Sequence, residues 1–183
     1  ERLKAETPLP AYHMLPTHMN RNPRLFQRGI AYAKDGGFVD FTTSSYGCFK
    51  DKGEVKPSAA LKQMLDAGVS VDHITFSSDG QGSLPVFDES GALASLQAAR
   101  LDSLYQEMAD AVQQENIPLE TALRAVTSNS ADRLKLSGKG RIQEGCDADL
   151  VLVTPDTLDI QTVICLGQVM MRDQELLVKG SFE

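Results

Sequence analysis

Two short polar runs hold the side chains best suited to chemistry. The first is Pro16 to Asn22, with His18 and Arg21 three residues apart; the second is Ser77 to Pro85, with Asp79 and Ser83 four apart. A histidine can ligate a metal through a neutral ring nitrogen or move a proton near neutral pH, and a lone one at a strand end serves equally well as a hydrogen-bonded structural residue. Arg21 offers a planar fork that grips a carboxylate through two parallel bonds, or a plain surface ion pair. Asp79 can bind a metal or take a proton from water, while Asp-Gly is also an ordinary turn opening. Ser83 adds a loop hydroxyl. Two such clusters at the same end of their strands make a shared site a stronger expectation than either alone.

Other titratable groups fit structural roles better. His13 is expected within a strand, on the face opposite His18, as core or edge packing. His73 precedes a strand at the end remote from the expected site. Asp40 interrupts an apolar strand with no partner evident, and Cys48 is a free thiol with no neighbouring histidine to activate it.

The elements that must position these residues alternate in type. Strands are expected at Tyr12 to Leu15, Phe38 to Thr43 and Val69 to Phe76. Helices are expected at Leu25 to Ala33, at Pro57 onward with Gly68 as cap, at about Leu93 to Gln114, and from Pro118 through Leu134. Tyr46 to Lys56 and Gly80 to Gly91 read as loops. Strand-helix alternation implies a parallel sheet, whose carboxyl ends carry the chemistry. The three βα units counted fall well short of the full eight-unit barrel, which takes about 250 residues. After Ser137, Gly138, Lys139 and Gly140 the texture becomes short strands and turns: Asp149 to Val153, Thr162 to Leu166, Gln168 to Met171 and Glu175 to Val178. The expected domains are therefore 1–136, part of a barrel, and 137–183, closing strands of a small β layer completed from elsewhere.

Composition narrows the function classes. Among 183 residues, 25 acidic against 18 basic side chains give a net charge of -7 without a Lys/Arg-rich stretch, which argues against nucleic-acid binding. No apolar run approaches the roughly 20 residues of a membrane span. The 3 widely spaced cysteines read as reduced thiols of a cytoplasmic protein.

The runs LPTHMNRN at Leu15 to Asn22, FSSDGQGSLP at Phe76 to Pro85 and GKGRIQEGCDADLVLVTP at Gly138 to Pro155 resemble the isoaspartyl (beta-aspartyl) dipeptidases, metallopeptidases of the amidohydrolase superfamily. The third run signals only the superfamily; His18 to Arg21 together with Asp79 to Ser83 is more specific. The resemblance covers nearly the whole chain but only the C-terminal half of such an enzyme. It implies an α/β fold: the C-terminal part of an amidohydrolase (β/α)8 TIM barrel plus closing strands of a small β-sandwich.

The same resemblance implies hydrolysis of β-aspartyl dipeptides by a zinc-activated hydroxide attacking the side-chain amide. His18 would bind one ion of a binuclear zinc centre, and Asp79 would bind the other and accept the proton. Arg21 would hold a substrate carboxylate and Ser83 would contact the substrate. The remaining ligands, among them a His-x-His pair and a carboxylated lysine, are expected upstream of Glu1, in the N-terminal half of the same enzyme. A homo-oligomer is also implied. Tyr46 to Lys56 is longer than the family pattern. Two other expectations compete: a dihydroorotase-like or hydantoinase-like cyclic amidase on the same fold, and a non-catalytic scaffold subunit.

Overall fold

The computed structural model describes residues 6–180. It divides into two compact units, Glu1–Ser130 and Ala131–Glu183. The division falls inside a helix, ahead of the Ser137 to Gly140 break.

In the first unit the core strands are short and completely covered. β1 (Val39–Thr42) and β2 (Ile74–Ser77) pair in parallel, with Val39 opposite Ile74 and Thr42 opposite Ser77. Burial on both faces is what a parallel pair flanked by helices requires. α1 (Pro23–Lys34) precedes β1; its N-cap Asn22 accepts a hydrogen bond from the Leu25 N–H, and Pro23 occupies the first turn, where no N–H is needed. A one-turn helix, α2 (Tyr46–Phe49), and a 3-10 turn (Lys50–Lys52) follow β1. α3 (Pro57–Asp66) then makes the crossover to β2. It buries Ala60, Leu61 and Met64, and Gly68 at φ 82° turns the chain back in a conformation costly for other residues. Phe26, Phe41 and Phe76 pack in sequence between helix and strands, their rings tilted by 49° and 48° with centroids 5.8 and 6.2 Å apart.

Four expectations on the elements need correction. Tyr12 to Leu15 is no strand: Ala11–His13 is a 3-10 turn, and Pro16 lacks the N–H a ladder needs, so this segment meets β1 through only Asp40 N–H to Pro16 O and Met19 N–H to Asp40 O. His13 is accordingly exposed against Tyr12 rather than packed. The third strand begins late, at Ile74, because Ser70 caps a 3-10 turn over Val71–His73.

The Gly80 to Gly91 loop and the start of the long helix are instead an antiparallel hairpin, β3 (Ser83–Phe87) with β4 (Leu93–Ala98). Its turn closes on the Asp88 carboxylate, which accepts from the Ser90 and Ala92 N–H groups. Only afterwards does α4 (Ser103–Gln113) begin. The helix from Pro118 likewise stops early. α5 (Leu119–Val126) ends where Thr127 leaves helical geometry and bonds its hydroxyl to Leu123 O, and α6 (Ser128–Leu134) restarts. Asn129 ties that restart to β2, donating to Val71 O and Ile74 O at 2.7 and 2.9 Å.

The second unit is an antiparallel meander, β5 (Leu150–Val153), β6 (Ile160–Cys165), β7 (Gln168–Arg172) and β8 (Glu175–Leu176), in sequential order. Lys139 closes the loop before it by pairing with Asp147 and Asp149. Among the described residues, its buried hydrophobic side chains are Ala131 and Leu158 alone. No helix among the described residues is long and apolar enough to cross a membrane.

Truncating Phe41, the middle one of these buried rings, removes contacts on both sides at once. Phe41→Ala is expected to lower the unfolding free energy by about 3–5 kcal/mol, read from urea denaturation followed by circular dichroism.

Candidate active site

The site is assembled where β1 and β2 end. Asn20, fully buried, replaces missing ladder bonds with its side chain: Oδ1 accepts from Thr42 N–H at 3.0 Å, and Nδ2 donates to Thr42 O and Val55 O, both at 3.1 Å. Its backbone oxygen takes the Val55 N–H at 2.9 Å. This clip holds Pro16 to Asn22 against the carboxyl end of β1 and carries His18 and Arg21 with it.

His18 sits beside Thr42, ring Nδ1 and hydroxyl Oγ1 being 2.7 Å apart, and an Arg21 terminal nitrogen lies 3.1 Å from the same Nδ1. A guanidinium can only donate, so facing Arg21 the ring accepts at Nδ1 and carries its proton on Nε2. Thr42 works in either direction. If Nε2 gives up its proton to bind a cation, the proton moves to Nδ1, which then donates to the Thr42 hydroxyl, the outer hydrogen bond by which metal-binding histidines are oriented, and Arg21 must release its bond to Nδ1. Among the described residues nothing hydrogen-bonds Nε2. His18 is therefore chemically suited to act as a ligand.

Asp79 and Ser83 lie on the turn leaving β2. Gly82 N–H bonds back to Asp79 O at 3.0 Å, and a Cβ on Gly82 would come within 2.8 Å of that same oxygen, so the turn admits only glycine there. Asp79 is exposed, and Ser83 is exposed at the first position of β3. Neither side chain is hydrogen-bonded among the described residues. His18 and Asp79 both have left-handed backbone, at φ 56° and 50°, as do Gln81 beside Asp79 and residues such as Asn116 and Asp173 elsewhere.

The structure thus joins His18 to Arg21 directly and sets Asp79 and Ser83 beyond the adjacent strand end, with no hydrogen bond between the two pairs among the described residues. Among the described residues no group of three or more His, Cys, Asp and Glu side chains could hold a metal ion. His18 and Asp79 fit a zinc donor set in chemical type and form only part of one.

Three residues not singled out as site residues support them. Glu54, whose side chain is 0% exposed, accepts from Ser45 at 2.7 Å and stands 3.8 Å from Arg21 Nε. Burial pushes its carboxyl up, against the Ser45 hydrogen bond and the Arg21 charge. Phe49 lies under the Arg21 guanidinium, 4.7 Å from ring centre to Cζ. Asp40 has the partners its sequence context did not reveal: Thr75 and Ser77 donate to its two oxygens at 2.8 and 2.5 Å. By contrast His73 is structural, bonded to Gly37 O at 2.7 Å and stacked on Phe38. Cys48 lines a cleft of about 440 Å³ between α2 and the β3–β4 hairpin, with Lys52, Pro85, Phe87 and Gln97.

The sequence matches the amidohydrolase family over residues 14–170. The chain belongs to that family. This amidohydrolase is similar in structure to a beta-aspartyl dipeptidase from Fervidobacterium islandicum AW-1 solved with a beta-Asp-Leu dipeptide. The TM-score is 0.82 at 32% identity, covering 98% of this chain and 46% of that one.

Curated relatives include a 5-methylthioadenosine/S-adenosylhomocysteine deaminase of Halobacterium salinarum, 32% identical over 138 residues, 65% of this chain and 30% of that protein. An allantoinase of Enterococcus faecalis is 34% identical over 102 residues, 54% of this chain and 22% of that protein. The amidohydrolase chain therefore spans less than half the length of each of these. Its α/β architecture agrees with part of the family's barrel followed by β strands.

Burial raises the Asp40 carboxyl from 3.8 to about 6, despite hydrogen bonds from Ser77 and Thr75 that favour the charged form. Between those values the folded chain holds a proton that the unfolded chain has lost, so stability is greatest below the lower value and declines as pH rises through the upper one. The loss is on the order of 3 kcal/mol by pH ~7. Urea unfolding across pH ~4 to ~7 is expected to show that decline in the wild type and a flatter profile in Asp40→Asn.

Proposed function

We propose that the enzyme containing this chain hydrolyses β-aspartyl dipeptides. The observation that carries the proposal is Arg21, a guanidinium held against His18 at the carboxyl end of a parallel strand. A β-aspartyl dipeptide has a free α-carboxylate next to its scissile side-chain amide, so its recognition calls for a fixed cation beside the reacting centre. The likeness to a dipeptidase solved with beta-Asp-Leu supports the same choice.

In this proposal His18 and Asp79 contribute to holding a binuclear zinc centre, the other donors coming from the N-terminal half of the enzyme. Zinc, when bound, supplies carbonyl polarisation and a more acidic water. Asp79 takes the proton released as water adds to the carbonyl and returns it to the departing amine. Arg21 orients the α-carboxylate and Ser83 contacts the substrate. Asp79 is suited to proton transfer because its carboxylate is exposed and has no structural hydrogen bond to maintain among the described residues. The protein is proposed to act in the cytoplasm as a homo-oligomer.

A cyclic amidase is the second reading, favoured by the identity to an allantoinase. The two differ in what Arg21 must do. With the full-length zinc-loaded enzyme and beta-Asp-Leu, Arg21→Met is expected to raise KM about 100-fold with little change in kcat, and Asp79→Asn to lower kcat about 1,000-fold or more. Absence of turnover on every β-aspartyl dipeptide, together with hydrolysis of a hydantoin or dihydroorotate, would overturn the proposal in favour of the second reading.

A further inference from the structure

Arg21 is held more tightly than a surface arginine needs to be. Its Nε faces the buried Glu54 carboxylate at 3.8 Å, its guanidinium carbon stands 4.7 Å over the Phe49 ring, and a terminal nitrogen touches His18 at 3.1 Å. The side chain nevertheless stays 31% exposed. Glu54 and Phe49 both come from the stretch between β1 and α3. Lys52, from the same stretch, lies over both Phe49 and Phe87, at 5.7 and 3.8 Å from the ring centres, and so links it to β3.

Stability alone does not account for Glu54. Its Oε1 takes the Ser45 hydroxyl at 2.7 Å and a long 3.5 Å contact from Asn20 Nδ2, but its Oε2 is buried without a hydrogen-bond partner among the described residues. Burying a half-matched carboxylate is costly. What it provides is a negative charge on one edge of Arg21, while the Phe49 ring limits the guanidinium plane to one orientation. A preoriented fork loses less freedom when it closes on a carboxylate.

We infer that Glu54 and Phe49 form a clamp that presets Arg21 for the substrate α-carboxylate, making Glu54 a specificity-determining positioning residue. The inference rests on the dipeptidase proposal for the identity of the carboxylate, while the clamp itself can be tested without substrate. In the full-length zinc-loaded enzyme, Glu54→Gln is expected to raise KM for beta-Asp-Leu about tenfold and leave kcat within about twofold. The α-carboxamide analogue of that dipeptide should show no such change. Phe49→Leu should raise the same KM about threefold.

The second readout is phenylglyoxal modification, followed by peptide mass spectrometry. Without the Glu54 charge holding its Nε edge, the Arg21 guanidinium is freer to turn out towards the reagent, so Arg21 in Glu54→Gln should react several-fold faster while exposed Arg24 and Arg28 keep their wild-type rates. Unchanged KM with an unchanged Arg21 rate overturns the clamp, as does an equal rise in KM for both substrates. If the wild-type enzyme cleaves no β-aspartyl dipeptide, the dipeptidase proposal fails separately, and the Arg21 rate decides the clamp by itself. If Glu54→Gln does not fold, Phe49→Leu decides: a KM rise confined to the carboxylate substrate supports the clamp, and an unchanged KM overturns it.

Discussion

One carboxamide, that of Asn20, fixes the position of the segment that carries His18 and Arg21. Pro16 cannot donate a backbone hydrogen bond, and among the described residues the segment it begins makes two backbone–backbone bonds to β1. Asn20 makes up the difference by mimicking a peptide group: it accepts from Thr42 N–H, donates to Thr42 O, and reaches across to Val55. A buried amide with this many partners holds one geometry strongly, because any shift leaves several polar groups unmatched in a dry environment. His18 and Arg21 flank this fixed point by two residues and one. The amide fixes their backbone, and contacts of their own then orient the side chains.

The neighbouring residues divide the remaining work with little redundancy. Asn22 caps α1 and Pro23 starts it, so the helix axis is anchored one residue beyond Arg21. Met19 turns inward, its end 3.3 Å from where a Cβ on Gly29 would lie, so helix and site segment pack closely because position 29 has no side chain. On the other side, β2 carries Thr75 and Ser77 to Asp40, which ties the two strands together beneath the site through side chains as well as the ladder. Backbone, core and site are therefore mechanically continuous across a few residues.

The sequence was legible where local chemistry decides structure. Pro57 and Gly68 delimit α3, Gln168 onward forms the expected hairpin, and the run from His18 to Ser83 points to the amidohydrolase family that the comparison identifies. It misled where two periodicities coincide. Leu93, Leu96, Leu101 and Leu104 follow helical spacing, yet the Asp88 turn captures the first part of that stretch for β4, and α4 takes only the rest. The supports of the site were hidden for a different reason. Glu54 is 33 residues beyond Arg21, and Asp40 finds its partners 35 and 37 residues away; such contacts exist only after the parallel pair has formed. Composition and spacing carry no sign of them.

The left-handed backbone at His18 and Asp79 has a consequence for anyone trying to make this protein tougher. At both positions glycine would relax the chain by roughly 1 kcal/mol. A thermostabilisation campaign scored on melting temperature alone would therefore be drawn towards replacing the two side chains proposed to hold the metal. Under the proposed function, heat resistance and activity would trade against each other at these two residues, and a selection for one would erode the other.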